Sequence, residues 1–320
     1  MAPQQRGPAA EDIAQLWWIY LLVGIAVYVL VLVLLVIPWL RRRRSTPADV
    51  DPPDPTTDPE HRADVPARLA TGWIVGLGVV MPLIVLVGAL TLSVSTMEAL
   101  PRDAPDGSVT IDVVGRQFWW AATYPADGVT VANEIHIPLG EPVELRLLSV
   151  DVIHSFWVPD LHGKLDVLPD GTNTLVIEAD EAGVYGGECA EFCGLQHANM
   201  GLLVIAQPRP EFERWVAAQR APAAAPSGDA ARRGQDVFVA ERCGSCHTVR
   251  GVVTGDGSGP DLTHVASRTT LLSDTIDNSP ADLTEFLRDP DAVKVGTGMP
   301  TPTLSPTELR DLIAYLQGLS

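Results

Sequence analysis

Between Asp12 and Arg41 the chain has no charged residue, and the centre of that stretch reads WWIYLLVGIAVYVLVLVLLVIPWL. A helix needs about 20 residues to cross the ~30 Å hydrocarbon layer of a bilayer. A run this long predicts a transmembrane helix over about residues 13–40. Trp17 and Trp18 stand at one end and Trp39 at the other, about 33 Å apart at ~1.5 Å rise per residue, where interfacial rings belong. A second uncharged stretch, residues 69–97, contains Pro82. Proline is tolerated inside membrane helices, so residues 1–97 predict a two-helix hairpin joined by the loop 41–68. Arg41, Arg42, Arg43 and Arg44 follow the first helix directly. Lys and Arg near helix ends mark the cytoplasmic side, which puts the loop inside and both termini outside. A cleaved signal sequence fits worse, because the apolar run is too long and the positive cluster follows it.

The charge balance then falls outside the membrane. The 320 residues carry 22 Lys+Arg and 40 Asp+Glu, net −18, but residues 1–97 hold 7 basic and 8 acidic groups. Residues 98–228 are net −12 and residues 229–320 net −5. Such a surface lacks the cations that neutralise phosphates, which argues against nucleic-acid binding. Residues 211–228 separate the two regions and read as a linker, with an Ala/Pro/Ser/Gly centre and no apolar periodicity. Two acidic domains on a short tether are expected to meet through effective concentration, without an attractive patch.

Residues 98–210 alternate short β-prone runs with Gly, Pro and Asp, as in a sandwich or barrel. They end in GGECAEFCGLQHANMG, which supplies Cys189, Glu191, Cys193, His197 and Met200. Thiolate, imidazole and thioether form a soft donor set that favours copper. Two thiolates exceed the need of a mononuclear site, and His154 in DVIHSFWVP offers a second imidazole. A Cys189–Cys193 disulfide is the competing reading, but it leaves His197 and Met200 without a role. His136 and His162 read as structural or surface residues.

The pattern C-x-E-x-C-x3-H-x2-M, preceded by DVIHSFWVPDLHGKLDVLPDG, resembles the binuclear copper A site of cytochrome c oxidase subunit II. The resemblance implies a cupredoxin-like Greek-key β-barrel. Cys189 and Cys193 would bridge two copper ions, with His154 and His197 each on one copper. Met200 and the Glu191 carbonyl would be weak axial ligands, and the Glu191 carboxylate would reach a magnesium ion at the subunit I interface. The strip GRQFWWAATYP also resembles the family, which takes in electrons through an exposed Trp there. Phe118, Trp119 and Trp120 are the candidates, with plain core packing as the alternative.

In residues 229–320 the segment CGSCH fits C-x-x-C-H, a haem c attachment motif: Cys243 and Cys246 bond the haem and His247 takes the iron. Met299 is the only methionine that follows, and His264 is the competing sixth ligand. His/Met ligation suits an electron carrier. Ser305, Pro306 and Glu308 form a capping-box signature before the apolar face of Leu309, Leu312, Ile313 and Leu316, and a further capped helix is expected from Ser279-Pro280. The segment resembles an all-α class I cytochrome c, in which the Gly259-Pro260-Asp261-Leu262 turn would support the proximal histidine.

Together these resemblances imply a multidomain membrane protein of the bacterial inner (plasma) membrane. It would be the subunit II of a haem-copper oxidase that relays single electrons from haem c to copper A and on to subunit I, for oxygen reduction coupled to proton translocation. Implied partners are subunits I and III, membrane lipid, and a cytochrome c or cytochrome bc complex as donor. The copper/haem subunit of a nitric oxide reductase-type complex and a membrane-tethered copper chaperone are the alternatives. A chaperone leaves the haem motif unexplained, and a quinol oxidase subunit II would lack the copper ligands.

Overall fold

The computed structural model describes residues 5–44 and 67–320, in two compact units. One unit spans Asp12–Leu100 and the other joins Met1–Glu11 to Pro101–Ser320. Most of the expected cytoplasmic loop 41–68 lies outside the described residues.

Helix α1 runs Pro8–Arg44, longer at both ends than its apolar centre. The second long helix is built of α2 (Ala67–Val75), a wide π turn (Gly76–Val80) and α3 (Met81–Ala99). The π turn has a local cause. Pro82 has no N–H to continue the ladder, and the turn before it lets the Met81 amide reach back to the Gly76 carbonyl. The Tyr20 hydroxyl joins the two long helices, donating to the Ala89 carbonyl at 2.6 Å and lying 2.5 Å from Ser93 Oγ. Both helices are long and apolar enough to cross a membrane, and their apolar side chains face outward, as lipid requires.

In the second unit, residues 109–207 form two five-stranded sheets. One has the order β3-β2-β1-β5-β8 and the other β4-β10-β9-β6-β7. The strands are β1 (Val109–Arg116), β2 (Trp119–Tyr124), β3 (Val129–Ala132), β4 (Glu134–Pro138) and β5 (Val143–Ser149). They continue with β6 (His154–Trp157), β7 (Leu165–Val167), β8 (Asn173–Ile177), β9 (Gly183–Cys189) and β10 (Gly201–Gln207). Parallel pairing of β1 with β5 and of β4 with β10 sits among antiparallel neighbours, consistent with the expected cupredoxin-like fold. Alternate residues point inward: Ile111, Val113, Leu145 and Leu147 are wholly buried and face Phe156 and Val204 of the other sheet in one core.

The N-terminal tail belongs to this domain. The Arg6 amide donates to the Asp160 carbonyl at 3.0 Å, and the Asp180 amide donates to the Arg6 carbonyl at 2.7 Å.

The expected linker differs from the structure in its first half, where Arg209–Arg220 form helix α4. Phe212 and Val216, four apart, bury one face of α4 on the β-sheet domain, and Trp215 packs on Tyr124 at 5.3 Å. Only residues 221–227 remain as an irregular connection before α5 (Gly228–Ala240).

Helix α5 crosses the closing helix α8 (Pro306–Leu316), with short helices α6 (Pro280–Arg288) and α7 (Pro290–Val293) between them. The α5–α8 crossing is close: a Cβ on Gly234 would lie 1.9 Å from the Asp311 carbonyl oxygen. Phe238 meets Tyr315 edge-on at 5.7 Å, and Arg233 holds Asp311 with two hydrogen bonds of 2.7 and 2.9 Å. The capping box at Ser305/Glu308 and the Ser279 cap on α6 both form as expected. A two-rung hairpin, β11 (Thr270–Leu271) and β12 (Ile276–Asp277), lies between α5 and α6.

Candidate functional site

Sheet register explains how distant residues meet at the cysteine loop. β6 pairs with β9 so that Phe156 faces Cys189, which sets His154 beside the cysteine. β9 and β10 are the two antiparallel stems of the loop 190–200, and the Cys189 amide donates to the Met200 carbonyl at 3.0 Å to close it. His197 opens a single 3₁₀ turn, His197–Asn199, that carries its ring back toward the cysteines.

The donor atoms converge. Cys189 Sγ lies 3.8 Å from Cys193 Sγ, 3.8 Å from His154 Nδ1 and 3.2 Å from the Glu191 carbonyl oxygen. Cys193 Sγ lies 3.9 Å from His197 Nδ1 and 3.7 Å from Met200 Sδ. Two donors at about 2.3 Å from a shared metal, at a tetrahedral angle, sit roughly 3.8 Å apart. Each thiol therefore has one imidazole at metal-sharing distance, and the thiols have that distance from each other. Both cysteines are free, so no disulfide competes. His154, Cys189, Cys193 and Met200 are buried, whereas His197 is partly exposed and Glu191 exposed.

Proximity sets the electrostatics of the two thiols. Burial opposes ionisation of both. Hydrogen bonding from His154 nevertheless pulls Cys189 down, while burial and then the neighbouring Cys189 charge push Cys193 up. Two thiolates this close repel, and a cation bound between them removes that cost.

Asp151 was not singled out in the sequence. Its Oδ1 lies 2.8 Å from His154 Nε2, which fixes the ring and leaves Nδ1 toward the thiol. The signal available was an acid three residues before a histidine in DVIH. Trp120, wholly buried, meets the His154 ring at 5.8 Å and Phe156 at 5.6 Å, both edge-on. Phe118 is also buried, and Trp119 is half-covered by the Arg116 guanidinium at 5.6 Å. The aromatic strip thus offers no fully exposed ring: β2 turns Trp120 inward and the chain covers Phe118. His136 stacks on Trp215 at 4.0 Å and His162 is buried beside its own loop, so neither approaches the cysteines.

In residues 229–320, Cys243–Ser245 form a 3₁₀ turn, and the His247 amide donates to the Cys243 carbonyl at 3.1 Å. The motif is thereby coiled so that its three functional side chains emerge from one turn. His247 Nδ1 lies 2.8 Å from the Pro260 carbonyl, the contact expected of the Gly259–Leu262 turn. Donation to that carbonyl leaves Nε2 as the nitrogen available to a metal. Burial holds the ring below the ordinary histidine value, which keeps it neutral. A Cβ on Gly259 would lie 2.6 Å from the ring, so the approach needs glycine. Cys243 and Met299 border the same apolar cluster. His264 is turned elsewhere, its Nε2 3.0 Å from the Ala221 carbonyl.

Comparison with known proteins agrees with this arrangement. The family described as cytochrome C oxidase subunit II, periplasmic domain, matches residues 125–207, and the cytochrome c family matches residues 231–320. A cytochrome c oxidase subunit 2 of Alkalihalophilus pseudofirmus is 41% identical over 67% of this chain, and the match covers 62% of that relative. One from Bacillus subtilis is 32% identical over 70% of this chain and 66% of its own length. A probable cytochrome c oxidase subunit 2 of Rickettsia bellii is 30% identical over 50% of this chain and 67% of its own. The first two matches thus leave about a third of each relative uncovered. Domain matches and relatives point the same way, and the chain belongs to the cytochrome c oxidase subunit II family, as a member with a cytochrome c domain at its C-terminal end.

Proposed function

We propose that this chain is the electron-accepting subunit of a haem-copper oxidase. Cys243, Cys246, His247 and Met299 would hold one covalent haem c. Cys189, Cys193, His154, His197, Met200 and the Glu191 carbonyl would hold the two copper ions of a copper A set. These groups supply reversible one-electron chemistry. The residues around them fix geometry: Asp151 orients His154, and the Pro260 carbonyl orients His247.

The observation that carries the reading is the convergence of four further donors on two thiols that are themselves 3.8 Å apart. Electrons would pass from a cytochrome c or cytochrome bc complex to haem c, then to copper A, then to subunit I for reduction of oxygen to water coupled to proton translocation. The acidic surface suits a basic donor. The exposed Glu191 carboxylate is assigned to a magnesium ion shared with subunit I, and subunit III completes the set of partners.

The membrane placement follows the same reading: bacterial inner membrane, two spanning helices, loop 41–68 cytoplasmic. The tail at Arg6 lies on the copper domain, which supports an N-terminus on the same side as both redox domains. The test is purification of the full chain from membranes. Two coppers and one iron per chain, purple copper absorption beside haem c bands, and co-purification of subunit I are expected. Zinc, or no metal, at the cysteine loop would overturn it.

A further inference from the structure

A tether between two acidic domains needs no built contact surface, yet two buried ionic side chains lie on the boundary between them. Glu134, 5% exposed at the start of β4, belongs to the copper domain. Its Oε1 accepts from the Thr269 amide at 2.7 Å, the Thr269 hydroxyl at 2.6 Å and the Thr270 amide at 3.0 Å, all on the haem domain. Lys294, 3% exposed just after α7, belongs to the haem domain. Its Nζ donates to the Phe118 carbonyl at 3.1 Å and the Asn199 carbonyl at 2.8 Å on the copper domain, and to the Leu272 carbonyl at 2.6 Å on its own.

A buried ion without partners is expelled or neutralised, so each of these groups is compatible with burial only when the other domain is in place. Burial pushes the Lys294 ammonium down to about 7, and three carbonyl acceptors, one for each ammonium proton, favour its charged form.

Between the two ions lies the turn of the β11–β12 hairpin. Leu272, Ser273 and Asp274 all have left-handed backbones, with φ of 55°, 62° and 60°. L-residues seldom hold that conformation in succession. Here the copper domain shapes it: the Gly201 amide donates to the Ser273 carbonyl at 3.1 Å, and the Ser273 hydroxyl donates to the Phe118 carbonyl at 2.8 Å. A Cβ on Gly201 would lie 3.0 Å from that Ser273 carbonyl, so the close approach depends on glycine. Gly201 and Asn199 flank Met200. The haem domain therefore grips the backbone on both sides of a proposed copper ligand.

We propose that Glu134 and Lys294 form a reciprocal latch that holds the haem domain permanently docked on the copper domain, with the Leu272–Asp274 turn seated beside Met200. Transfer between the two centres then proceeds across a fixed interface and does not depend on the connection at residues 221–227. The transfer half of this statement rests on the copper and haem assignments above; the docking half does not.

Docking is tested on the full chain in detergent by hydrogen exchange with mass spectrometry, reading the Gly201 amide and the Thr269 and Thr270 amides. Inserting about twelve Gly/Ser residues after Ala225 should leave their protection unchanged within twofold. Haem-to-copper transfer after photoreduction should also change less than twofold. A free tether lengthened this much would lose about fourfold in effective concentration. Lys294→Met should speed exchange at these amides at least tenfold and make transfer sensitive to the insertion. Glu134→Gln, which keeps an acceptor, should give a smaller change confined to Thr269 and Thr270, and serves if the lysine variant does not fold. A fourfold fall in transfer on insertion alone, or unchanged exchange in both variants, would overturn the latch. Missing copper or haem absorption with protection intact would instead overturn the metal assignments.

Discussion

His154 Nε2 lies 2.8 Å from Asp151 Oδ1, while Nδ1 of the same ring points to the Cys189 thiol at 3.8 Å. Burial pushes the Asp151 carboxyl up, but hydrogen bonds from His154 and from the Gln117 and Val152 amides outweigh it and hold the group ionised. A carboxylate behind a ligating imidazole fixes its tautomer and raises its basicity. Asp151→Asn keeps the shape and removes the charge. Copper affinity should fall about 10- to 100-fold, the range such outer partners command. Competitive copper titration of the metal-free chain measures this, and the haem bands should be unaffected.

Met299 borders the same apolar cluster as Cys243 in the haem domain, whereas His264 is tied to the Ala221 carbonyl. Thioether ligation raises the iron potential relative to other axial partners. Met299→His should lower the haem c midpoint by on the order of 0.1 V or more, within the roughly 0.8 V that axial ligands control. His264→Ala should leave it in place. A redox titration followed at the haem band separates the two.

Gly234 is the point where α5 and α8 come closest. A methyl there would sit 1.9 Å from the Asp311 carbonyl oxygen, so Gly234→Ala must push the helices apart. Overpacking of this kind costs about 1–3 kcal/mol. For a domain of this size each kcal/mol lowers the midpoint by roughly 4–8 °C. Thermal unfolding followed at the haem should show the shift, with the copper signal unchanged at lower temperature.

His136, stacked on Trp215, is pushed by burial from its ordinary 6.5 down to about 4. The folded domain therefore holds it neutral over a range where the unfolded chain binds a proton. Stability from this site is complete above pH 6.5 and is lost as pH falls toward 4, by about 2–3 kcal/mol. Glu134, His264 and Arg268 line the same small cleft. His136→Phe keeps the stack and removes this titration, so its denaturant midpoint should fall less between pH 6.5 and 4 than that of the parent chain.

Much of this was legible in the sequence because the chemistry demands fixed residue types at short spacing. Cys189 to Met200, the C-x-x-C-H turn and the Ser305/Glu308 cap are local, and local patterns survive without knowledge of the fold. Helix α4 was hidden because Ala and Pro dominate its neighbourhood. Its signal was Phe212, Trp215 and Val216 at helical spacing, overlaid by the linker composition. The burial of Phe118 and Trp120 depends on which face of β2 meets the core and on what covers the loop before it, which composition does not carry. Glu134 and Lys294 were not legible at all. A single charged residue in an acidic or mixed segment reads as solvated surface, and only the position of a distant segment shows otherwise.

The tail at Arg6 and Gly7 has a consequence for how the protein is made. The Asp160 carbonyl and the Asp180 amide find their partners on the Arg6 backbone, and Gly7 lies so close to Glu178 that a Cβ would be 2.2 Å from its carbonyl oxygen. Residues 6 and 7 thus complete two loops that are synthesised more than 150 residues later. A chain cut before Asp12 would leave those two backbone groups without these partners, so folding of the β-sheet domain draws on a segment that both long apolar helices separate from it in sequence.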